Sequence, residues 1–234
     1  FAFLVPHMSS RVPSSTMWSV NGVGITGWIE RGSMFLSIDG IDGAGKTTQL
    51  SLFHDWLRDR GHQVVACRDP GTTPLGEEIR KILLTVGDLP IHGRSEMLLY
   101  MAARSQLVEQ IIRPALAAGQ TVVADRYLLA NVVYQGHAGG LDVDSVWQVG
   151  EVATGGLMPD VTIVLDIDPE SARSRFDRDL DRIEQRGDEF RNRLRQGFLA
   201  EARRRPDQIV VVNAARSIEE IQDEIRAVAL SRDA

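Results

Sequence analysis

The chain has 234 residues, 43% of them hydrophobic and 25% charged, which is the composition of an ordinary globular protein. A formal net charge of −6 argues against general nucleic-acid binding, which usually requires a basic face. No apolar run approaches the ~20 residues that a membrane-spanning helix needs, and the single cysteine, Cys67, cannot form an internal disulfide, which fits the reducing cytoplasm.

The first 33 residues do not read as part of a fold. They mix serine, proline and glycine without sustained periodicity, and their short apolar start is interrupted by Pro6, so a signal peptide is a poor match. Met34 opens the first predicted strand directly. We therefore predict that 1–33 is a flexible extension, natural or artificial, and that 34–234 form a single domain.

A glycine-rich stretch follows that first strand and leads into a helical pattern that ends at Gly61. It fits the phosphate-binding pattern G-x-x-x-x-G-K-[ST]. In a strand–loop–helix unit, inward-turned backbone N–H groups and the helix dipole bind phosphate, while the lysine adds a full charge and the hydroxyl ligates Mg²⁺. A purely structural glycine turn is the less favoured alternative, because a strand and a helix flank the motif. The residues concerned are Gly40, Ile41, Asp42, Gly43, Ala44, Gly45, Lys46, Thr47 and the adjoining Thr48.

Strand and helix patterns alternate along the rest of the chain. Further short apolar strands are predicted over 63–67, 121–124, 161–165 and 208–212, with helices over 75–85, 95–118, 144–154 and 218–230 and from Pro169 onward. Pro114 is expected to bend the second of these helices or to end it early. This alternation predicts a P-loop NTPase-type α/β fold, an open parallel sheet of about five strands with helices on both faces. In such sheets, ligands bind beyond the carboxyl ends of the strands.

Charged residues stand at those strand ends. Asp125 ends a buried strand, where a carboxylate that orients Mg²⁺ belongs, and Arg126 is placed to hold a second phosphate. The alternative for this pair is an internal salt bridge. Asp42 is unusual inside a phosphate loop because a carboxylate repels phosphate. It can hold Mg²⁺, accept a hydrogen bond from a second substrate, or cap the turn.

The segment between Arg173 and Arg205 is rich in arginine and contains no lysine. One interpretation is a solvated helix with intrahelical ion pairs. The other is a lid, over about 174–190, whose arginines close on a nucleotide and neutralise charge in the transition state. Composition alone does not separate the two.

Several motifs in this order resemble the thymidylate kinase family, the nucleoside monophosphate kinases that phosphorylate dTMP with ATP. The resemblance covers about 34–225. Besides the phosphate loop, it rests on Arg68-Asp69-Pro70-Gly71-Thr72, Tyr100-Met101-Ala102-Ala103-Arg104, Asp125-Arg126-Tyr127, Asn131, Tyr134-Gln135-Gly136 and Asp181-Arg182-Ile183-Glu184.

The resemblance implies a role for each of these positions, with ATP and dTMP as substrates and Mg²⁺ as cofactor. ATP is expected on the phosphate loop and against Arg175, with Mg²⁺ at Thr47 and Asp125. Lys46, Arg126 and the lid residues Arg178 and Arg182 are the expected catalytic group. The Tyr100 ring would stack on thymine rather than serve only as helix core. Substrate contacts are expected from Asp42, Asp69, Arg80, Tyr100, Arg104, Arg126, Asn131, Tyr134 and Gln135.

Three positions depart from the family pattern. Asp69 stands where glutamate is usual, and Ala130 where serine is common. Gly43 stands where some members carry an arginine inside the loop, which implies that the catalytic arginine comes from the lid. The family also implies a cytoplasmic homodimer. A deoxynucleoside kinase, or a regulatory ATPase without a nucleotide acceptor, is the alternative function.

Overall fold

The structure is a computed structural model that describes residues 19–20, 23–24, 33–87, 89–175 and 181–231. Most of the predicted extension, and Arg178 of the predicted lid, therefore lie outside the described residues. Within the extension, Ser19–Val20 and Val23–Gly24 pair as two short antiparallel strands, separate from the main sheet.

The main sheet has five strands, all parallel, as predicted. Their spatial order is β2-β3-β1-β4-β5, so the strand before the phosphate loop lies at the centre. The connection after β1 runs to one side of the sheet, toward β2, and the connection after β3 runs to the other side, toward β4, so a crevice opens at the carboxyl ends of β1 and β3. The strands are β1 (Phe35–Gly40), β2 (Val64–Arg68), β3 (Thr121–Asp125), β4 (Val161–Asp166) and β5 (Ile209–Asn213).

The central strands are buried because helices cover both faces of the sheet. Every residue of β1 is buried, as are the first five residues of β4, which explains their continuous apolar sequences. Two of the polar exceptions pair with each other: the Ser37 and Thr162 hydroxyls hydrogen-bond across the two strands at 2.9 Å. The helices are α1 (Lys46–Asp59), α2 (Pro74–Leu84), α3 (Gly93–Leu107), α4 (Arg113–Ala117), α5 (Leu128–Asn131), α6 (Val143–Thr154), α7 (Pro169–Arg173), α8 (Gly187–Arg204) and α9 (Ile218–Ser231).

Two of these helices continue into wider, π-helical turns. α3 passes through Val108–Ile112 into α4, so the helical path runs on past Pro114. The wider turn lies directly before the proline, which has no N–H to donate. α5 passes in the same way into Val132–His137, which carries Tyr134 and Gln135. Such turns are common at functional sites.

Within the described ranges, none of the helices combines the length and apolarity that crossing a membrane requires.

A buried carboxylate fastens α8 to the helices beside it. Glu201 is 0% exposed, and its carboxylate accepts hydrogen bonds from His137 Nε2 at 2.8 Å and from Trp147 Nε1 at 2.9 Å. Arg204 donates to the same carboxylate at 3.0 Å. Burial alone would raise the pKa of Glu201, but these hydrogen bonds outweigh it and lower that pKa.

We expect Glu201→Ala to lower the free energy of unfolding by about 3 kcal/mol, because it leaves the buried indole N–H without an acceptor and opens a cavity. Urea unfolding followed by circular dichroism measures this. Glu189→Ala is the matched control, since that glutamate lies on the same helix at 89% exposure. Equal losses in the two variants would contradict the assigned role.

Candidate active site

The phosphate loop between β1 and α1 depends on glycine at particular positions. Gly43 has a φ of +84° and Gly45 a φ of +92°, in the left-handed region that side chains disfavour. A Cβ on Gly43 would also lie 2.3 Å from the Ala172 carbonyl oxygen, so α7 packs directly against the loop. This contact gives a physical reason for the missing loop arginine: no side chain fits at position 43.

Lys46, the first residue of α1, lies back across the loop. Its Nζ donates to the carbonyl oxygens of Gly40 at 3.1 Å and Ile41 at 2.9 Å, and lies 3.5 Å from Asp42 Oδ1. Burial, and then the neighbouring Arg126 charge, lower its pKa. The lysine is thus held at the mouth of the loop, where a phosphate oxygen would replace these acceptors.

Arg126 and Asp42 form the central ion pair. Arg126 adopts a φ of +67°, which turns its side chain from β3 toward the loop. Its Nη2 donates to Asp42 Oδ1 at 2.5 Å and its Nη1 to the Gly40 carbonyl at 3.1 Å. Tyr134 donates its hydroxyl to Asp42 Oδ2 at 3.2 Å. Burial would raise the pKa of Asp42, but the Arg126 and Lys46 charges hold it well below its usual range. The internal partner of Arg126 is therefore Asp42, not its neighbour Asp125.

Three carboxylates beside this pair have buried oxygen atoms without partners. Both oxygens of Asp39, Oδ1 of Asp69 and Oδ1 of Asp125 are buried without a hydrogen bond to any described residue. Burial raises the pKa of Asp39 to about 7, although the Arg126 and Lys46 charges oppose the shift. Sequence reasoning missed Asp39; its only signal was a carboxylate at the end of an apolar strand.

Two cavities meet at the ion pair. The loop cavity, on the side of α1, is lined by residues 42–49, Arg175, Arg216 and Ile218, among others. The inner cavity, on the side of α3 and α5, is lined by Tyr100, Arg104, Asn131, Tyr134 and Gln135, among others. The two share four lining residues, Asp42, Asp69, Arg80 and Arg126. A group passed between ligands in the two cavities would cross at this shared wall.

The residues predicted to contact dTMP are brought together at the inner cavity. Arg104 is 1% exposed and donates through Nε to Asp69 Oδ2 at 2.6 Å. Arg80 lies opposite and donates to the Pro70 carbonyl at 3.1 Å. Tyr100 lines the cavity and also packs against the small apolar cluster of Ile79, Leu83 and Ala103, so the ring contributes to helix packing, and its stacking on a base stays a prediction.

The predicted lid arginines lie in different places. Arg175 reaches the loop, with Nη1 3.4 Å from the Gly43 carbonyl. Arg182 lies on the inner-cavity side, where Nη2 donates to buried Glu96 and Nε donates to the Leu83 carbonyl at 2.6 Å. Arg178 lies outside the described residues. Sequence reasoning also missed Glu96 and Arg216, neither of which belongs to a local motif.

Comparisons with known proteins agree with this geometry. A family model described as "Thymidylate kinase" matches residues 38–225. A thymidylate kinase of Rhodopirellula baltica is 43% identical over 195 residues, which cover 83% of this chain and 79% of the relative. One of Symbiobacterium thermophilum is 44% identical over 195 residues, covering 83% and 91%. The crystal structure of thymidylate kinase from Ehrlichia chaffeensis superimposes with a TM-score of 0.69 at 30% identity, covering 84% of this chain and 98% of that one.

The raised pKa of Asp39 predicts how the ligand-free protein responds to pH. Between pH 3.8 and about pH 7, Asp39 holds a proton in the folded state that it has lost in the unfolded state. The free energy of unfolding therefore falls as the pH rises through that window. Asp39→Asn removes this loss. We expect its stability advantage over the wild type to grow by roughly 2–3 kcal/mol between about pH 5 and pH 8.

Urea unfolding of both proteins at the two pH values measures the effect. Asp55→Asn, at an exposed aspartate on α1, is the matched control. Its free energy of unfolding should change with pH in the same way as that of the wild type. Parallel profiles for Asp39→Asn and the wild type would show that Asp39 does not carry the proton.

Proposed function

The chain belongs to the thymidylate kinase family, and on that premise we propose that it transfers the γ-phosphoryl group of ATP to the monophosphate of dTMP, yielding ADP and dTDP for dTTP synthesis. The observation that carries this is the pair of cavities with a shared wall at Asp42 and Arg126. Phosphoryl transfer needs two substrates held in line and their charge neutralised, and it needs little covalent chemistry from the protein.

The loop cavity is the proposed ATP site. Backbone N–H groups of the loop and the amino end of α1 would bind the β- and γ-phosphates. Lys46 would exchange its carbonyl partners for phosphate oxygens without moving far, because its Nζ already lies at the loop. Arg175 reaches the same cavity and is placed to pack on the adenine, and Arg216 lines it as well.

The residues beside the loop fit Mg²⁺. The unpartnered buried oxygens of Asp39 and Asp125 would be hard ligands for a cation, and Thr47, in the first turn of α1, lines the same cavity as Asp125. Mg²⁺ is commonly bound through one or two carboxylates and keeps waters and phosphate oxygens as its other ligands. We propose that Thr47 and Asp125 hold it, with Asp39 behind them. The chemistry supplied by a bound Mg²⁺ would be positive charge that neutralises the phosphates.

The inner cavity is the proposed dTMP site. Tyr100, Arg104, Asn131 and Gln135 would surround the base, and Tyr134 would lie under the sugar. Asp69, Arg80 and Arg126 line the shared wall, where the acceptor phosphate would lie. Asp42 would serve to aim Arg126 and Tyr134, since it already holds both.

In the transfer itself, Lys46 and Arg126 would stabilise the charge that develops on the moving phosphoryl group. The proposed lid arginines, Arg178 and Arg182, would complete the neutralisation and exclude water. Because Arg182 donates to Glu96 in this structure, its guanidinium would act on the transferred group only after a change of partner.

We also propose a cytoplasmic homodimer. Leu98 on α3 and Val152 on α6 are 54% and 83% exposed, and a second copy of the chain would cover them. The single cysteine, Cys67, is buried and unpaired, and burial raises its pKa to about 12, so the thiol is unreactive. A free thiol of this kind agrees with the proposed location in the reducing cytoplasm.

A nucleotide panel tests the acceptor. With ATP and Mg²⁺, ADP should form far faster with dTMP than with dUMP, dCMP, AMP or thymidine, because only dTMP fills both the base pocket and the phosphate position. A coupled ADP assay measures the rates. Equal rates with thymidine would indicate a deoxynucleoside kinase. ATP turnover that ignores every acceptor would indicate a regulatory ATPase.

Lys46→Ala should lower kcat by roughly 100-fold or more, with the unfolding transition retained, because it removes a preorganised charge from the phosphates. Lys81→Ala is the matched control, since Lys81 is the other lysine of the chain and is exposed in an ion pair with Glu78. An active Lys46→Ala enzyme would contradict the catalytic role of this lysine, and a variant that does not fold would show that the loop is structural.

A further inference from the structure

Glu96 is a buried carboxylate at the start of α3 that has no role in the mechanism above. It is 1% exposed, and its two oxygens face different parts of the molecule. Oε1 accepts a hydrogen bond from Gln135 Nε2 at 3.0 Å. Oε2 accepts from Arg182 Nη2 and from Arg186 Nη2, each at 2.5 Å. Burying a carboxylate is unfavourable unless it is paired, and here the two guanidinium groups supply the pairing.

From Gln135 a chain of hydrogen bonds runs along the inner cavity. Gln135 Oε1 accepts from Asn131 Nδ2 at 2.6 Å, and Asn131 Oδ1 accepts from Arg104 Nη1 at 2.9 Å. Arg104 Nε donates to Asp69 Oδ2 at 2.6 Å. The chain therefore has a carboxylate at each end, and Glu96 lies at the end away from the phosphate loop.

The two carboxylates fix which way both amides point. If the Gln135 amide were reversed, its carbonyl would face Glu96, and a reversed Asn131 would set its NH₂ against the Arg104 guanidinium. Both reversals leave buried like groups in contact. In the fixed orientation each amide keeps one N–H and one oxygen lone pair unused. Since both side chains line the cavity, the positions of these remaining donors and acceptors on its wall are fixed as well.

The same glutamate holds the segment that closes this side of the cavity. Asp181 and Ile183 line the cavity, and Arg182 between them is bound to Glu96 and to the end of α2, through the Leu83 carbonyl at 2.6 Å. Glu96 itself is not among the described residues that line the cavity. Its effect on a ligand would therefore pass through Gln135 on one side and through the two arginines on the other.

We propose that Glu96 is a positioning residue for selection of the acceptor base. Through Gln135 and Asn131 it fixes which points of the inner cavity donate hydrogen bonds and which accept them, and through Arg182 and Arg186 it fastens the 181–186 segment beside the same base. This inference rests on the proposed function. The cavity then fits one arrangement of donors and acceptors on the base edge. It favours thymine, with a carbonyl at position 4 and an N–H at position 3, over cytosine, in which donor and acceptor are exchanged at these two positions.

The test is Glu96→Gln, a change of one oxygen to NH₂. The new amide can satisfy Gln135 or the arginines but not both, so one side is left with donor against donor. In the nucleotide panel we expect the ratio of kcat/KM for dTMP to that for dCMP to fall about tenfold or more. The KM for dTMP should rise by more than kcat falls. Glu189→Gln, which removes the exposed partner of Arg193, is the matched control and should leave the ratio unchanged.

Arg186→Gln separates the two sides of Glu96. It removes one donor to Oε2 of Glu96 and leaves the bond between Glu96 and Gln135. The KM for dTMP should therefore rise, while the ratio of kcat/KM for dTMP to that for dCMP should remain unchanged. A Glu96→Gln enzyme that keeps the wild-type ratio would overturn the proposal. Equal changes of the ratio in the Glu96 and Arg186 variants would also overturn it, because they would show that Glu96 acts only by holding the 181–186 segment in place.

If Glu96→Gln does not fold, Gln135→Leu tests the amide through which Glu96 acts, and an unchanged ratio of kcat/KM for dTMP to that for dCMP would overturn the proposal. A wild-type enzyme that ignores dTMP would refute the proposed function instead, so the two failures are distinguishable in one panel.

Discussion

The ion pair between Arg126 and Asp42 is the interaction on which the site depends. It joins the end of β3 to the loop after β1, and both cavities end at it. A carboxylate inside a phosphate loop would ordinarily repel phosphate. Here its charge is matched by Arg126, and its remaining oxygen accepts from Tyr134. Asp42 therefore orients the Arg126 guanidinium at the wall that the two cavities share.

This arrangement leaves the ligand-free site electrostatically strained. Lys46 and Arg126 bring positive charge close together, while Asp39 and Asp125 keep buried oxygens unpaired among the described residues. The core around them cannot relax the strain, since β1 is wholly buried. Phosphates and a divalent cation would supply the missing partners. Sites that bind charged ligands commonly hold strain of this kind, and a stable fold tolerates it.

Periodicity and motifs in the sequence were enough to predict the five strands, the parallel sheet and the position of the loop, because each depends on local pattern. They could not predict the partner of Arg126, since Asp42 is distant in sequence and the choice depends on a φ of +67° at position 126. Nor did they single out Asp39 or Glu96. A lone carboxylate carries no pattern, and burial of each arises only when separate elements pack around it.

Arg126 and Arg182 are held by carboxylates in different parts of the site. Arg126 is fixed by a carboxylate within the loop, so it is in place before any ligand binds. Arg182 is held by Glu96, a carboxylate that also orients Gln135 in the inner cavity, the proposed base pocket. An arginine that shares its anchor with that cavity would change position with what fills the cavity. The fixed charge would then serve every turnover, whereas release of the other would be coupled to occupancy by the correct base.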